Sequence, residues 1–156
     1  LSAIIGDAYL GGGILENGEM VFPFSIKSGD FYIGDNVMAD VTAKCLNTFD
    51  TLPVAVLIGP ITSSSGSVAA IAFKGRPKTY FIGEPTAAGY TTGNNYVAFA
   101  ENFTMQLATN FNCDRNGIVY RDNVQPDITI IGNDNFENVT LDRKMNYALY
   151  WLMSFK

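Results

Sequence analysis

The fold is decided by the stretch from Leu52 to Gly83, which reads LPVAVLIGPITSSSGSVAAIAFKGRPKTYFIG. It begins with Leu52–Gly59, a continuous apolar run rich in valine, which is typical of a strand buried on both faces and therefore of a parallel sheet. Hydroxyl residues then open Ser63–Lys74, a segment that is apolar on nearly all sides in its second half and is ended by glycine and proline. A second strand candidate follows at Thr79–Gly83. The pattern predicts a βαβ unit with a short buried helix.

Alternation of apolar and polar residues predicts further strands on both sides of this unit. Residues 19–33 alternate around a turn at Lys27–Asp30, which indicates a hairpin or two short strands. Residues 95–111 and 117–121 alternate around a second turn, whose sequence is DRNG at positions 114–117. These patterns place antiparallel strands beside the predicted parallel pair.

The two ends of the chain have helical character. Apolar side chains recur at helical spacing over residues 141–155, which predicts a closing amphipathic helix with Thr140 as N-cap and Asp142 in the first turn. The first residues, LSAIIGDAYLGGG, are interpreted as the tail of a helix that runs into a turn. Since the chain begins at Leu1 rather than at a methionine, we expect it to be part of a longer protein.

The composition is that of a packed domain and restricts the possible chemistry. The chain has 156 residues, of which 47% are hydrophobic and 16% charged, and we expect residues 1–156 to form one domain. A net charge of −5 with scattered basic residues argues against a nucleic-acid partner, and the absence of a long apolar run predicts a soluble segment. Because the chain has no histidine, it lacks the most common general base and zinc ligand. We therefore expect no metal and no cofactor, and a base of another origin if there is catalysis.

The two cysteines do not form a recognisable metal or redox motif. Cys45 and Cys113 are too far apart in sequence for a CxxC pair, and two thiols alone cannot complete a zinc site. Two unpaired buried thiols are the favoured interpretation, and a disulfide in an exported protein remains the alternative.

The turn Gly59–Ser67, with the sequence GPITSSSGS, is where chemistry is most strongly indicated. A strand ends, the chain bends sharply, and a helix begins on a run of hydroxyls, so a serine Oγ lies at the positive end of the helix dipole. Backbone amides at such a helix start can bind an oxyanion, which suits a serine nucleophile. Serine is also simply a good N-cap, so a structural role is the competing interpretation. The phosphate-loop pattern GxxxxGK[ST] is absent.

Four pieces in order carry a resemblance to a known family: the strand before the turn, the motif T-x-S-S-G from Thr62, the GEPT loop Gly83–Thr86, and PDI at Pro126–Ile128. Over about residues 50–131 the chain resembles the C-terminal core of the tail-specific, or C-terminal-processing, serine peptidases, and within them the branch of the nisin-resistance peptidases. The resemblance implies an α/β fold with a crotonase/ClpP-like ββα core, a central mixed sheet, a buried helix after the serine turn and a C-terminal amphipathic helix. It also implies that residues 1–156 are the C-terminal part of a peptidase catalytic domain whose N-terminal part lies elsewhere.

The resemblance assigns roles to particular residues. It places the nucleophile at Ser64, with Ser67 at a position where the family often has glutamate, and it gives the backbone amide of Ser65 to the oxyanion hole. The Ser65 hydroxyl is the alternative nucleophile. Glu84 and Thr86 are candidate substrate-binding residues, although a purely structural role for the GEPT loop is the competing interpretation.

The general base is missing from the matched region. The branch that uses a lysine has it just beyond the GEPT-like loop, where this chain has Gly89, and Lys74 and Lys78 are interpreted as solvated ends of the helix. The branch that uses a histidine takes it from a region N-terminal to the core. The resemblance therefore implies a base supplied from outside residues 1–156 and no activity of this part alone. Asp122 is a candidate orienting group, and the alternative is a solvated carboxylate that pairs with Arg121 or caps a turn.

The resemblance implies an enzyme that cleaves extended or C-terminal segments of peptides and proteins. It also implies an extracytoplasmic bacterial protein, secreted or held to a membrane only through a segment outside this chain. Aromatic residues of the last helix are expected to dock against the missing N-terminal region. The alternatives are an inactive peptide-binding module of the same fold and, with less support, an acyl-CoA enzyme of the crotonase type.

Overall fold

The computed structural model describes residues 1–40 and 49–155. The helices and strands, in chain order, are α1 (Ser2–Ile5), β1 (Ala8–Ile14), β2 (Met20–Lys27), β3 (Asp30–Ile33), β4 (Asn36–Ala39), β5 (Val54–Ile58), α2 (Ser65–Phe73), β6 (Thr79–Gly83), β7 (Thr92–Ala100), β8 (Phe103–Asp114), β9 (Val119–Tyr120), β10 (Ile128–Thr129) and α3 (Arg143–Leu152).

Within these described ranges the strands form two sheets. A seven-stranded sheet has the order β4-β3-β2-β1-β8-β7, with β9 added beside β8, and its pairs are antiparallel. A three-stranded sheet has the order β10-β6-β5, and its pairs are parallel. The predicted α/β class is confirmed, and its parallel and antiparallel pairings are distributed over the two sheets.

The βαβ unit predicted from the opening stretch is confirmed. β5 and β6 pair in parallel, from Val54 opposite Thr79 to Ile58 opposite Gly83, and α2 connects them. β5 is less buried than its apolar sequence indicates, and its residue Leu57 is 38% exposed. The reason is that β5 is an outer strand of the three-stranded sheet.

The helix α2 lies between the two sheets. It contacts β1 and β8 of the antiparallel sheet and β5 of the parallel one. Its residues Ala70, Ile71 and Phe73 belong to the buried core, together with Leu10 of β1 and Phe81 of β6 among others. A helix that is apolar on nearly all sides suits such a position, since it has no face for solvent.

Both predicted hairpins are present, but the alternating segment 95–111 forms two strands and not one. β2 and β3 pair around the turn at 28–29, and β8 and β9 pair around 114–117. Residues 95–111 are divided between β7 and β8, which turn back on each other at Glu101 and Asn102.

The glycines near the N-terminus were expected in a turn, and this expectation is wrong. α1 is a short helix as predicted, but Gly11 and Gly12 lie in β1 with φ of 102° and 152°. A Cβ on Gly11 would collide with the Cys113 carbonyl, and one on Gly12 with the Phe22 carbonyl. Glycine is therefore needed because the neighbouring strands approach β1 too closely for a side chain.

The closing helix α3 is confirmed, but its N-cap is Asp142 and not Thr140. Asp142 Oδ1 accepts a hydrogen bond from the Met145 amide at 2.9 Å. The Thr140 hydroxyl instead donates to Asn138 Oδ1 at 2.6 Å, so a local turn uses the group that was expected to cap the helix. α3 packs on β5 and β6. In the described part of the chain no helix has the length and apolar character needed to cross a membrane.

Candidate active site

The serine turn leaves the parallel sheet at the carboxyl end of β5. The Thr62 amide donates to the Gly59 carbonyl at 2.8 Å, and the Gly59 amide donates to Thr62 Oγ1 at 3.2 Å, which closes the bend. α2 begins at Ser65, directly after the bend. The turn therefore presents Ser64 and Ser65, both exposed, at the start of a buried helix.

Ser64 has an unusual backbone conformation. Its φ of 50° and ψ of −118° lie outside the regions that L-residues normally adopt, and such outliers cost about 1–3 kcal/mol. It occupies the N-cap position, yet its side chain makes no capping hydrogen bond. A strained turn from strand to helix that leaves a serine hydroxyl exposed is an arrangement used to present nucleophiles.

The neighbouring serines have different environments. Ser65 is the first residue of α2, so its amide is among those with no partner inside the helix and lies at the positive end of the dipole. Ser67 is fully buried and its hydroxyl lies 3.5 Å from the Thr62 carbonyl, to which it donates. The Ser67 hydroxyl therefore supports the turn from inside.

Glu84 is engaged within the protein. Its carboxylate accepts hydrogen bonds from Lys144 Nζ at 2.8 Å and from the Gly132 amide at 3.1 Å. The bond from Lys144, and to a smaller extent that from Gly132, holds the pKa of Glu84 below its ordinary value. Glu84 also borders a cavity of about 590 Å³ that is lined by the turn Gly59–Thr62 and by residues between Gly132 and Met145.

Thr86 lies in the interior. It is 3% exposed, its Oγ1 accepts from the Val124 amide at 2.9 Å, and its own amide donates to the Val124 carbonyl at 3.1 Å. One residue further on, the Ala87 amide donates to the Thr62 carbonyl at 2.9 Å. The residue after the GEPT loop thus supports the serine turn, and substrate binding by Glu84 and Thr86 stays a prediction.

Lys74 and Lys78 do not provide a base for Ser64. Lys74 is not the solvated end that was expected: its Nζ donates to the Gln125 carbonyl at 3.0 Å and lies 3.7 Å from the centre of the Phe81 ring. Burial lowers the pKa of Lys74, but this residue is the C-cap of α2 and lies about 15 Å along the helix axis from Ser64. Lys78 is exposed, as expected.

Lys144 is a buried cation beside the first residue of the turn, and sequence reasoning missed it. Burial lowers its pKa, but hydrogen bonds to Asp134 and Glu84 outweigh this effect and raise the pKa overall. Lys144 is therefore held protonated and is unsuited to act as a base. The available signal was its position on the apolar face of α3, four residues before the buried Ala148.

No other described group completes a catalytic set. Among residues 1–40 and 49–155 no side chain is hydrogen-bonded to the Ser64 hydroxyl. The same ranges contain no group of acidic, cysteine or histidine side chains suited to a metal ion. Asp122 is exposed and bonds to its neighbour Asn123, while Arg121 pairs with Glu16 at 2.7 Å and not with Asp122.

An apolar cavity begins at the serine turn. This second, largely apolar cavity of about 420 Å³ extends from Ser65 along Val68 and Ala72 of α2, against residues of β1 and β2.

Cys113 is a buried free thiol whose pKa is raised by burial, which confirms the favoured interpretation for this residue. Cys45 lies outside the described residues.

Comparison with known proteins identifies the family. The model of peptidase family S41 matches residues 12–130. The chain belongs to peptidase family S41. The resemblance carried by the serine turn, the GEPT loop and the PDI piece is thereby confirmed.

Known members and folds agree with this assignment. The nisin-resistance protein of Lactococcus lactis subsp. lactis is 39% identical over 77 residues, which cover 49% of this chain and 24% of that protein. The chain therefore spans about a quarter of the curated relative that it matches.

Two solved structures share the fold of this family S41 chain. A lipoprotein from Streptococcus agalactiae has a TM-score of 0.70 at 20% identity, over 98% of this chain and 47% of that one. A photosystem II D1 C-terminal processing protease has a TM-score of 0.61 at 16% identity, over 83% of this chain and 29% of that one.

Proposed function

We propose that the protein containing this chain is a serine-type peptidase in which Ser64 is the nucleophile. The observation that carries the proposal is the conformation of Ser64, whose strained backbone and exposed hydroxyl are not explained by helix capping. A hydroxyl that caps a helix would make the bond that is absent here. Membership of peptidase family S41 agrees with this chemistry.

In the proposed reaction Ser64 Oγ attacks the carbonyl carbon of a peptide bond, and a base outside residues 1–156 takes its proton. The Ser65 amide, at the start of α2, donates to the oxyanion that forms, together with a second donor outside the chain. Collapse of the tetrahedral intermediate breaks the C–N bond, and the protonated base gives its proton to the leaving amine. Water then hydrolyses the acyl-enzyme.

The proposed substrate is an extended segment of a peptide or protein. An extended chain exposes its carbonyls to the serine turn and can add beside a strand edge. The apolar cavity that begins at Ser65 can receive an apolar side chain next to the attacked bond. From the family resemblance we further propose that the whole protein acts outside the bacterial cytoplasm.

The experiment is covalent labelling of the full-length protein with a fluorophosphonate, which reacts with activated serine hydroxyls. Wild type and Ser65→Ala are expected to label, because the Ser65 contribution comes from its backbone. Ser64→Ala is expected not to label and not to cleave an unstructured peptide. Labelling of the Ser64→Ala variant at the wild-type rate would refute the assignment.

The second candidate is a peptide-binding module that has lost catalysis. It is favoured by Ser67 at the position where the family often has glutamate, and by the absence of a described partner for the Ser64 hydroxyl. This candidate predicts that the full-length protein binds an unstructured peptide with the same affinity in wild type and Ser64→Ala, and cleaves it in neither.

A further inference from the structure

The cluster formed by Lys144, Glu84 and Asp134 lies beneath the serine turn. Lys144 of α3 is 4% exposed, and its Nζ donates to Glu84 Oε2 at 2.8 Å and to Asp134 Oδ1 and Oδ2 at 2.8 and 3.1 Å. Asp134 precedes α3, and Glu84 directly follows β6. The ammonium group therefore connects the carboxyl end of the parallel sheet to the C-terminal helix.

The side chain of Lys144 fills the space that two glycines leave at the ends of β5 and β6. A Cβ on Gly59 would lie 3.7 Å from Lys144 Nζ, and a Cβ on Gly83 would lie 3.4 Å from Lys144 Cδ. Gly59 is the first residue of the bend that ends in Ser64. Lys144 thus lies directly against the base of the serine turn.

The partner Glu84 connects the cluster to the other side of the turn. Its amide donates to the Ile58 carbonyl at 3.1 Å, which continues the pairing of β5 and β6 past the strand ends. Three residues later the Ala87 amide donates to the Thr62 carbonyl at 2.9 Å. The bend from Gly59 to Thr62 is therefore held between the GEPT loop and Lys144.

We propose that Lys144, through its bonds to Glu84 and Asp134, is a positioning residue that fixes the serine turn in the conformation that makes Ser64 reactive. The effect of Lys144 on the reactivity of Ser64 rests on the proposed function, whereas its effect on the conformation of the turn does not. Lys144 does not touch Ser64; it acts through Gly59 and the loop after Glu84. Without the cation, two carboxylates face each other at the end of the sheet, and their repulsion separates the loop from the bend.

The test compares the full-length protein carrying Lys144→Met, Lys144→Arg or Arg143→Met. Arg143 is the adjacent residue on α3 and is exposed, so Arg143→Met removes the same charge from the same helix without affecting the cluster. The first measurement is the rate constant of fluorophosphonate labelling for the molecules that label. Lys144→Met is expected to lower it at least tenfold, Lys144→Arg less, and Arg143→Met less than twofold.

The rate constant separates positioning from stability. A role in stability alone reduces the fraction of molecules that label and leaves the rate constant of the labelled fraction unchanged. If Lys144→Met labels with the wild-type rate constant, the inference is overturned. If Lys144→Met does not fold, Glu84→Gln takes its place, because it removes one charge of the cluster with little change of shape. Glu84→Gln is expected to lower the labelling rate constant severalfold. A wild-type rate constant in Glu84→Gln overturns the inference equally.

A second measurement is independent of chemistry. Hydrogen exchange of the Thr62 and Ala87 amides reports on the bend and on its bond to the loop. In Lys144→Met or Glu84→Gln we expect at least tenfold faster exchange at both amides, with no change in Arg143→Met. If the wild-type protein does not label at all but this exchange accelerates, the positioning stands and the proposed function fails. Unchanged exchange in both variants overturns the positioning itself.

Discussion

Replacing Ser64 by glycine should stabilise the protein while it destroys the proposed nucleophile. The φ of 50° and ψ of −118° at this position are strained for any residue with a Cβ, and such strain costs about 1–3 kcal/mol. Glycine adopts this region freely but adds about 0.5–1 kcal/mol of conformational entropy to the unfolded chain. Because the Ser64 side chain makes no capping bond, its removal costs no hydrogen bond. The difference leaves an expected net gain of about 0–2.5 kcal/mol, with about 1 kcal/mol at mid-range.

The comparison with alanine isolates the strain. Ser64→Ala keeps the Cβ and therefore the strain, so its free energy of unfolding should remain within about 0.5 kcal/mol of wild type. At Ser65, which is helical, the order should be reversed, with glycine about 0.5–1 kcal/mol less stable than alanine. Urea unfolding of the four variants in the same parent protein measures both differences. A Ser64→Gly variant that is less stable than Ser64→Ala would refute the argument that this turn stores strain.

Three further predictions concern the surroundings of the turn. Arg76 is 4% exposed and donates hydrogen bonds of 2.7–3.2 Å to carbonyls that precede β5. In urea titrations, Arg76→Met should therefore lower the free energy of unfolding by at least about 3 kcal/mol. The control is Arg121→Met, which removes an exposed ion pair and should cost less than about 1 kcal/mol. Thr86→Val should lower the free energy of unfolding by about 1–2 kcal/mol in the same titrations, because its buried hydroxyl no longer accepts from the Val124 amide. Hydrogen bonds lower the pKa values of Glu84 and Asp142 in the folded protein. Their ionised carboxylates therefore stabilise the folded state fully only above their pKa values in the unfolded chain, about 4.3 and 3.9. This stabilisation is lost as the pH falls through the lower pKa values of the folded state. The melting temperature should therefore fall steeply below about pH 4, and the fall should be smaller in Glu84→Gln and in Asp142→Asn.

Short-range patterns predicted the parts of the fold whose signals are local. The apolar run of β5, the hydroxyl-rich helix start and the strand β6 lie next to one another in the chain, so periodicity and turn residues suffice to predict the βαβ unit. The hairpin turn at 28–29 was predictable for the same reason. Family membership was also carried by such local pieces in the right order.

Competition between neighbouring hydrogen bonds limited the prediction of boundaries. Thr140 and Asp142 are both good N-caps, and their sequence does not say which one is free to cap α3. The Asn138 side chain accepts from the Thr140 hydroxyl, so the carboxylate of Asp142 takes the helix amide. The reversal at Glu101 and Asn102 was missed because the alternation of side chains continues across it.

Sequence alone determined that a serine-rich turn follows a parallel strand, that the chain contains no histidine, and that these features belong to a peptidase core. Tertiary structure decided that Ser64 carries the strained backbone, that Thr86 is buried, and that Lys144 lies under the turn beside Glu84, sixty residues away in sequence. The difference has a physical reason. Strand and helix patterns follow from neighbours in the chain, whereas an imposed dihedral angle or a buried ion cluster results from contacts between distant segments that only the packed fold brings together.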